Sequence, residues 1–295
     1  MNDPRWASRA ELEQLRLDRP LSAIFDGLWA AGSLEGLRRS CIAIVGTRAA
    51  SGYGRAIARR FAADFAAGGC CVLSGLALGI DAAAHQGALD AGGVTIGVLG
   101  GGHRRFFPTR NRDLAQRMIA NGGAVLSPYR PDETAYPANF LQRNGIVAAL
   151  SDALVVIEAP ARSGALNTAS WAAGRIPVYA VPGDIDRPHV AGCHALIRDG
   201  ATLARNANDV MKDLQLLTGG TNASHETVAP ADPVQAKLIA ALRAGERSLD
   251  DLCMECQERT GLILTAISIL ELQGAIEARA GSRYALKELS VAMPR

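Results

Sequence analysis

The stretch IAIVGTRAASGYG, residues 42–54, decides the fold class of this chain. Its first four residues are apolar and partly β-branched, as in a buried strand, and glycine, threonine and serine follow before a helical pattern begins. A strand, a glycine-rich turn and the start of a helix are the usual parts of a phosphate-binding site. Three ligand classes suit such a site: a dinucleotide, a mononucleotide substrate or a nucleic-acid backbone.

Short apolar runs alternate with helical patterns from residue 41 to residue 213. The predicted strands are 41–45, 70–74, 94–99, 123–126, 153–157 and 177–181, with an edge strand at 201–203. The helical patterns lie near 54–67, 81–91, 110–121, 139–150, 167–174 and 206–214. Apolar strands separated by helices predict a doubly wound, parallel α/β sheet, in which ligands bind where strands lead into helices.

The rest of the chain divides into three further segments. Residues 1–40 are interpreted as a short helical lead-in to the sheet domain, which spans 41–216. Residues 217–233 are polar and interrupted by glycine and proline, which indicates a linker. Residues 234–295 form the last segment, with helical patterns at 234–243, 248–257 and 261–273 followed by two β-like runs. This order predicts a small winged-helix domain.

Composition limits the function classes. The 295 residues carry a net charge of +2, but residues 41–213 hold 17 basic and 13 acidic side chains, whereas residues 214–295 hold 8 and 10. A polyanion should therefore prefer the sheet domain.

No apolar run approaches the roughly 18 to 20 residues of a membrane helix, and the polar start does not resemble a signal peptide. The six cysteines show neither disulfide-framework nor zinc-site spacing, so we expect a cytoplasmic protein without a metal or cofactor.

The first turn does not match the dinucleotide fingerprint. Its glycines fall at positions 46, 52 and 54, so G-x-G-x-x-G is absent, and the second strand ends in CVLSG without an acid to hold a ribose. A helix start, a Gly/Ser/Thr turn and Arg48 remain, which suits a phosphodiester. The alternative is that these glycines only permit a tight turn.

Three later turns also favour binding. In SGLALGID, residues 74–81, Asp81 precedes His85 by one helical turn, which favours capping and buried hydrogen bonds over an acid–base pair. GGGHRRFFPTRNR, residues 100–112, combines cations with aromatic rings that can stack on bases. EAPARSGALNTA, residues 158–169, is another Ser-Gly turn that opens a helix.

The stretch FLQRNGIVAALS, residues 140–151, offers one side chain for each kind of nucleic-acid contact. Phe140 can stack on a base, Arg143 can bind a phosphate and Asn144 can read a base edge. The alternative is a core phenylalanine with surface polar residues. No serine or cysteine is paired with a recognisable base, so the sequence favours binding over catalysis.

Taken in order, the motifs IVGTR, SGLALGIDAAAHQGAL, TIGVLGGG, SGAL and AVPG make residues 40–290 similar to the DprA/Smf family. Proteins of that family protect incoming single-stranded DNA and load the RecA recombinase during natural transformation, the process by which competent cells take up DNA. The resemblance implies an extended Rossmann-like sheet that forms a homodimer. It also implies DNA contacts from Gly46, Thr47, Arg48, Ser51, Gly52, Gly75, Gly102, Phe140, Arg143, Asn144, Ser163, Gly164 and Thr168.

Four positions depart from the family pattern. Gly145 replaces an arginine, Pro128 a glutamate and His194 an asparagine, and Pro137 lies where some members carry a basic residue. These departures imply weaker or rearranged DNA contacts.

The alternative function is that of an enzyme on a related sheet, a LOG-like phosphoribohydrolase that cleaves the N-glycosidic bond of nucleoside monophosphates. Such enzymes carry a PGGxGT turn followed by an acid on the helix. Here the turn is PARSGALNTA, and residues 159–183 contain no Asp or Glu to activate water. The recombination mediator is therefore the favoured hypothesis.

The predicted winged helix is a poor reader of duplex DNA. Residues 261–273 of its third helix contain no Lys or Arg and carry Glu271. Phosphate contacts need cations, and Arg279 and Arg283 in the predicted wing are too few. We therefore expect residues 234–288 to contact protein or to regulate.

Overall fold

The computed structural model describes residues 3–16, 21, 24–216, 233–243, 245–272, 276–279 and 283–286. The chain divides into two compact units, residues 1–221 and 222–295. The predicted linker, residues 217–233, lies outside the described residues except for Pro233, which begins a helix.

The first unit is built on a nine-stranded sheet with the order β1-β2-β6-β5-β4-β3-β7-β8-β9. The strands are β1 Arg5–Ser8, β2 Gly27–Gly32, β3 Cys41–Val45, β4 Cys71–Ser74, β5 Thr95–Val98, β6 Ala124–Ser127, β7 Ala153–Val156, β8 Val178–Ala180 and β9 Thr202–Leu203. The seven neighbouring strands from β6 at one position of this order to β9 at its end all pair in parallel. Every residue of the five strands β3, β4, β5, β6 and β7 is buried. The predicted doubly wound sheet is confirmed.

Helices cover both faces of this sheet. They are α1 Arg9–Leu15, α2 Gly52–Ala67, α3 Ile80–Asp90, α4 Arg112–Ala120, α5 Pro137–Ala149, α6 Gly164–Ala172, α7 Ala191–Arg198 and α8 Ala207–Asp213. Ile42 and Ile44 pack with Phe61 of α2 on one face, while Ala43 and Val45 belong to the core on the other. None of the described helices is long and apolar enough to cross a membrane.

The interpretation of residues 1–40 as a helical lead-in is incomplete, because the segment holds helix α1 and a helical turn at Glu35–Arg38 but also two strands. β1 pairs with β2, and β2 pairs antiparallel with β6, so this segment extends the sheet. An ion pair attaches it to the core, because Arg16 Nη2 lies 2.5 Å from Asp152 Oδ1. Asp152 in turn accepts a hydrogen bond from the backbone N–H of Cys41 at 2.7 Å. The N-terminal segment is therefore part of the folded unit.

The second unit is a winged helix, as predicted. Its helices are α9 Pro233–Arg243, α10 Leu249–Cys256 and α11 Thr260–Leu272. Strands β10 Arg247–Ser248, β11 Ile276–Arg279 and β12 Arg283–Leu286 form an antiparallel sheet in the order β10-β12-β11. A separate core closes the unit, formed by Leu238, Leu242, Leu252, Ile263 and Ile267 among others.

Candidate nucleic-acid interface

The candidate site lies at the switch point of the sheet. The strand order reverses at β3, which has β4 on one side and β7 on the other. Ligands of open α/β sheets bind at the carboxyl ends of the strands at such a point. A cleft of about 730 Å³ lies there, between the turn after β3, the first half of α5 and the turn that begins α6.

Nine of the predicted site residues line this cleft and four do not. Those that line it are Gly46, Thr47, Arg48, Phe140, Arg143, Asn144, Ser163, Gly164 and Thr168. Outside it are Ser51, Gly52, Gly75 and Gly102. The cleft also includes Phe107, one of the rings of the predicted stretch 100–112, and residues that we did not predict as contacts, among them Leu141 and Arg162.

A cation and two aromatic rings form one wall. The Arg48 guanidinium carbon lies 5.1 Å from the centroid of the Phe140 ring, and the Phe107 ring centroid lies 6.0 Å from that of Phe140. Phe140 packs closely over Gly100, where a Cβ atom would come within 2.7 Å of the ring. Arg48 and Phe107 are exposed. A base could stack here while its phosphate meets the arginine.

The open helix start in the cleft is that of α6. Ser163 is its N-cap and accepts a hydrogen bond from Ala165 N–H at 3.2 Å. A Cβ atom at Gly164 would have no neighbour within 4 Å, so the first turn is accessible. The positive end of the helix dipole and its amides attract anions. This end of the cleft is suited to a phosphate group.

The polar side-chain groups of Asn144 and Thr168 at this end of the cleft already have hydrogen-bond partners within the protein. Asn144 Nδ2 donates to the carbonyl of Gly164 at 3.1 Å and to Asn167 Oδ1 at 3.2 Å. Thr168 is buried, with its hydroxyl 3.5 Å from the Gly164 carbonyl. The predicted role of Asn144 as a base reader therefore gains no support from the geometry.

Arg143 is one of the residues that line the cleft, but it is almost fully buried. Its Nη1 lies 3.9 Å from Asp81 Oδ2, and burial lowers its pKa while Asp81 opposes that effect. Its ordinary pKa is so high that it stays charged at neutral pH. Gly75 makes room for it, since a Cβ atom there would lie 1.1 Å from Nη1. The role of Gly75 is thus to seat Arg143, not to contact DNA.

Asp81 and His85 have the buried hydrogen-bonding roles that the sequence favoured, but the predicted capping role is wrong, because the N-cap of α3 is Gly79 and no side chain caps it. Asp81 accepts hydrogen bonds from Gly75 N–H and Ala77 N–H, and burial raises the pKa of its carboxyl group. His85 Nδ1 lies 2.7 Å from Thr95 Oγ1, and burial lowers the pKa of this histidine to about 3.

The phosphate position at the start of α2 is already occupied by the protein itself. The buried Glu158 carboxylate accepts hydrogen bonds from Ser51 N–H at 2.9 Å and from the Ser51 hydroxyl. Gly54 leaves space for this carboxylate, which would lie 2.3 Å from a Cβ atom. The predicted cradle at Ser51 and Gly52 is therefore corrected, because an internal anion fills it. Close packing explains Gly46 and Gly54, whereas nothing in the structure requires a glycine at position 52.

The stretch GGGHRRFFPTRNR contributes less than predicted. Gly102 is buried, and a Cβ atom there would lie 2.2 Å from the carbonyl oxygen of Arg130, so its role is packing. Phe106 is also buried, with Arg112 over its ring, and Arg104 pairs with carboxylates. Of this stretch, Phe107 is the residue that lines the cleft.

Three of the four departures from the family pattern lie outside the cleft. Gly145 faces Trp171, whose ring would lie 3.0 Å from a Cβ atom, so the missing arginine does not remove a cation from the cleft. His194 Nε2 lies 3.0 Å from the carbonyl oxygen of Gly183. Pro128 does not line the cleft, whereas Pro137 does. The inference of weaker contacts from Gly145 is therefore wrong, and only the question at Pro137 remains.

The cleft does not support the hydrolase alternative. Among its described lining residues, Asp81 is the single carboxylate, and it is buried and held by backbone N–H groups and Arg143. The described parts of the chain contain no cluster of three or more His, Cys, Asp or Glu side chains placed to hold a metal ion. Arg48, Arg162 and the α6 start give the cleft a positive character.

A Rossmann-type sheet with an arginine- and phenylalanine-lined cleft at its switch point defines a polyanion-binding α/β protein. The family model for DNA recombination-mediator protein A matches residues 4–215, and that for the DprA winged helix domain matches residues 222–282. The chain belongs to the DNA recombination-mediator protein A family.

Individual relatives agree with this assignment. A Mycobacterium tuberculosis protein provisionally named DNA processing protein DprA is 37% identical over 86% of this chain and 67% of its own length. The structure of DprA from Streptococcus pneumoniae has a TM-score of 0.63 and 33% identity, covering 72% of this chain and 75% of that one. A Helicobacter pylori DprA structure, described as showing a single-stranded DNA binding mode, has a TM-score of 0.59 and 28% identity. It covers 67% of this chain and 94% of that one.

Proposed function

We propose that this protein is a recombination mediator that binds single-stranded DNA in the switch-point cleft. In this proposal it protects incoming DNA and loads the RecA recombinase during natural transformation. It acts as a cytoplasmic homodimer and binds DNA without catalysing a reaction on it.

One observation carries the DNA-binding part: Arg48 lies over the Phe140 ring beside the open start of α6. A ring stacks on any base, while a guanidinium and helix amides bind phosphates, so this combination suits single strands without sequence preference. The Helicobacter pylori relative, whose structure is described by its single-stranded DNA binding mode, supports the same ligand.

A salt titration of labelled oligo-dT tests the proposal. If Arg48 and Arg162 each contact one phosphate, the logarithm of the association constant should fall with the logarithm of salt with a slope of about −1.4. An oligo-dA of equal length should show a similar slope, because the cations contact the backbone. A salt-independent affinity, or no binding at low salt, would contradict the proposal.

The mediator part needs a second measurement. RecA-dependent ATP hydrolysis on the same DNA reports how fast the recombinase filament forms. We expect the protein to shorten the lag before hydrolysis. An unchanged lag at saturating DNA binding would refute loading while leaving DNA binding intact.

A further inference from the structure

A second groove shares Arg48 with the cleft. It has a volume of about 460 Å³ and lies between α2, α3 and the single helical turn Thr109–Asn111. We call it the arginine groove, because its lining includes Arg48, Arg55, Arg59 and Arg110.

The charge of the arginine groove is not balanced by the protein. None of its lining residues is acidic, and among the described residues no carboxylate lies within 4.0 Å of its four guanidinium groups. Nearby arginines outside the groove differ, since Arg104 lies 2.8 Å from Asp132 and Arg117 lies 4.0 Å from Asp90. Like charges placed one helical turn apart repel each other. Such an exposed, uncompensated cluster is suited to an external polyanion.

The fold fixes the spacing of these cations. Arg55 and Arg59 are both exposed and lie one turn apart on α2, about 6 Å along the helix. Arg110 is adjacent to Asn111, whose side chain donates to the carbonyl groups of Leu76 and Ala77 at 2.9 and 3.0 Å. The arginines therefore stand on rigid elements rather than on a loose loop.

The floor of the groove is kept free of large side chains. Gly79 has a φ of +83°, and a Cβ atom there would lie 2.3 Å from the carbonyl oxygen of Thr47. Ala82 and Ala83 form the adjacent floor. No aromatic side chain lines the groove, so it offers charge without a stacking surface.

We propose that the arginine groove binds the phosphodiester backbone of the single strand as it leaves the cleft past Arg48, without contacting the bases. This inference rests on the proposed function. A single strand is the occupant because Arg48 lines both sites, so that one strand bound at Arg48 can contact the cleft on one side and the groove on the other. The cleft then stacks bases and binds phosphates, and the groove extends the binding site by charge alone.

The length dependence of binding tests the groove. Affinities are measured for oligo-dT of about 6 and about 16 nucleotides, lengths that span the site sizes of single-strand binders. The double variant Arg55→Ala/Arg59→Ala should bind the longer oligomer about fivefold more weakly or worse, with a salt slope flatter by about 1.4. Its affinity for the shorter oligomer should stay within about twofold of the wild type.

Arg60→Ala is the matched control. Arg60 is exposed on the same helix but lines neither the cleft nor the arginine groove. It should bind both oligomers as the wild type does. Arg60→Ala should keep the wild-type melting temperature, and the double variant, which loses the hydrogen bond from Arg55 to the carbonyl of Ala50, should remain folded at the temperature of the binding measurement.

The outcomes separate the two proposals. If the wild type binds neither oligomer, the proposed function fails. If it binds both but the double variant matches it on the longer one, or Arg60→Ala loses as much, only the groove inference is overturned. A double variant that loses affinity for duplex DNA while keeping the long oligomer would assign the groove to duplex DNA and also overturn it.

Discussion

Arg48 lies where the cleft and the arginine groove meet, and its guanidinium is supported by the Phe140 ring rather than by a carboxylate. The stacked ring leaves the edge of the guanidinium group free to donate to a phosphate. Among the described arginines, Arg48 is the one that lines both the cleft and the arginine groove.

The substitution Arg48→Ala should weaken binding of both short and long oligomers. A lost charge-assisted phosphate contact costs about 1.5 to 3 kcal/mol. Fluorescence anisotropy with labelled oligo-dT measures the loss, and a melting curve shows that the variant is folded. An unchanged affinity in the folded variant would remove Arg48 from the interface.

Phe140→Ala should weaken binding by about 1 to 3 kcal/mol through the loss of base stacking. The salt slope should change little, because a stacked base releases no counterion. Phe140→Tyr keeps the ring and should bind nearly as the wild type does. A clearly flatter slope for the alanine variant would show that Phe140 acts mainly by positioning the cation above it.

Pro137 is the one departure from the family pattern that lines the cleft. It is exposed at the first position of α5, where another residue can replace it without breaking a helical hydrogen bond. Pro137→Lys should add a phosphate contact, tighten binding about two- to fivefold and steepen the salt slope by about 0.7. Pro137→Ala is the control for the loss of the ring. Equal affinities of the two variants would contradict this role.

At the scale of elements, the packing of α3 on the sheet buries a histidine. The Thr95 hydroxyl donates to the carbonyl of Val72, so it accepts from the Nδ1–H of His85. Burial lowers the pKa of His85 to about 3, and the positive charge of Arg143 adds to this effect. Below about pH 6.5 the unfolded chain binds a proton at His85 that the folded protein does not. The stability contributed by this neutral histidine is therefore lost as the pH falls.

From pH 7.5 to pH 5.5, His85 should lower the free energy of unfolding by about 1.4 kcal/mol. His85→Asn, which retains an N–H donor but does not titrate, should lack this part of the pH dependence. Urea unfolding is followed by tryptophan fluorescence, since Trp6, Trp29 and Trp171 all belong to the sheet unit. Equal pH dependence in both proteins would contradict the assignment.

The elements that the sequence predicted are those with a local signal. Strands β3 to β7 are continuous apolar runs buried on both faces, which a sequence window detects directly. Strand β1 carries no such run, and β2 is apolar but consists mainly of Gly and Ala, which strands disfavour. Their pairing depends on contacts such as that between Trp6 and Trp29, whose ring centroids lie 5.6 Å apart. The periodicity of a short sequence window does not show which distant segments pair with each other.

The site residues follow the same rule. Arg48 and Phe140 could be predicted because a turn after a strand and a helix start both point to the ligand edge of a parallel sheet. Glu158 could not, because it binds a residue 107 positions away in the sequence. The burial of Arg143 likewise depends on the space left by Gly75. Long-range packing decides which polar groups in these turns remain free.

At the scale of the whole molecule, the two units differ in how their cations are used. In the winged-helix unit, Arg247 pairs with Glu255, Arg279 with Glu277 and Arg283 with Glu246. Helix α11 contains no Lys or Arg, and its exposed side chains include Leu262 and Leu264. This unit therefore presents neutralised charge and apolar side chains, which suits contact with protein better than with DNA.

Deletion of residues 217–295 should leave the affinity for oligo-dT within about threefold of that of the full chain. A larger loss would require that the deleted residues themselves contact phosphates. The truncated protein retains all three apolar clusters of the sheet unit. Its unfolding transition and its DNA affinity are measured together. A folded fragment that has lost most of its DNA binding would show that the winged helix touches nucleic acid.

The Glu158 carboxylate at the start of α2 also has a consequence for selectivity in the cell. On a Rossmann-type sheet, the helix that follows the first parallel strand is where free nucleotides place their phosphates. Here a negative group of the protein holds that position and repels a second one. We therefore expect that ATP and NAD cannot place their phosphates at the start of α2 in the usual way of this fold, which leaves the cleft at Arg48 and the start of α6 as the place where a DNA strand binds.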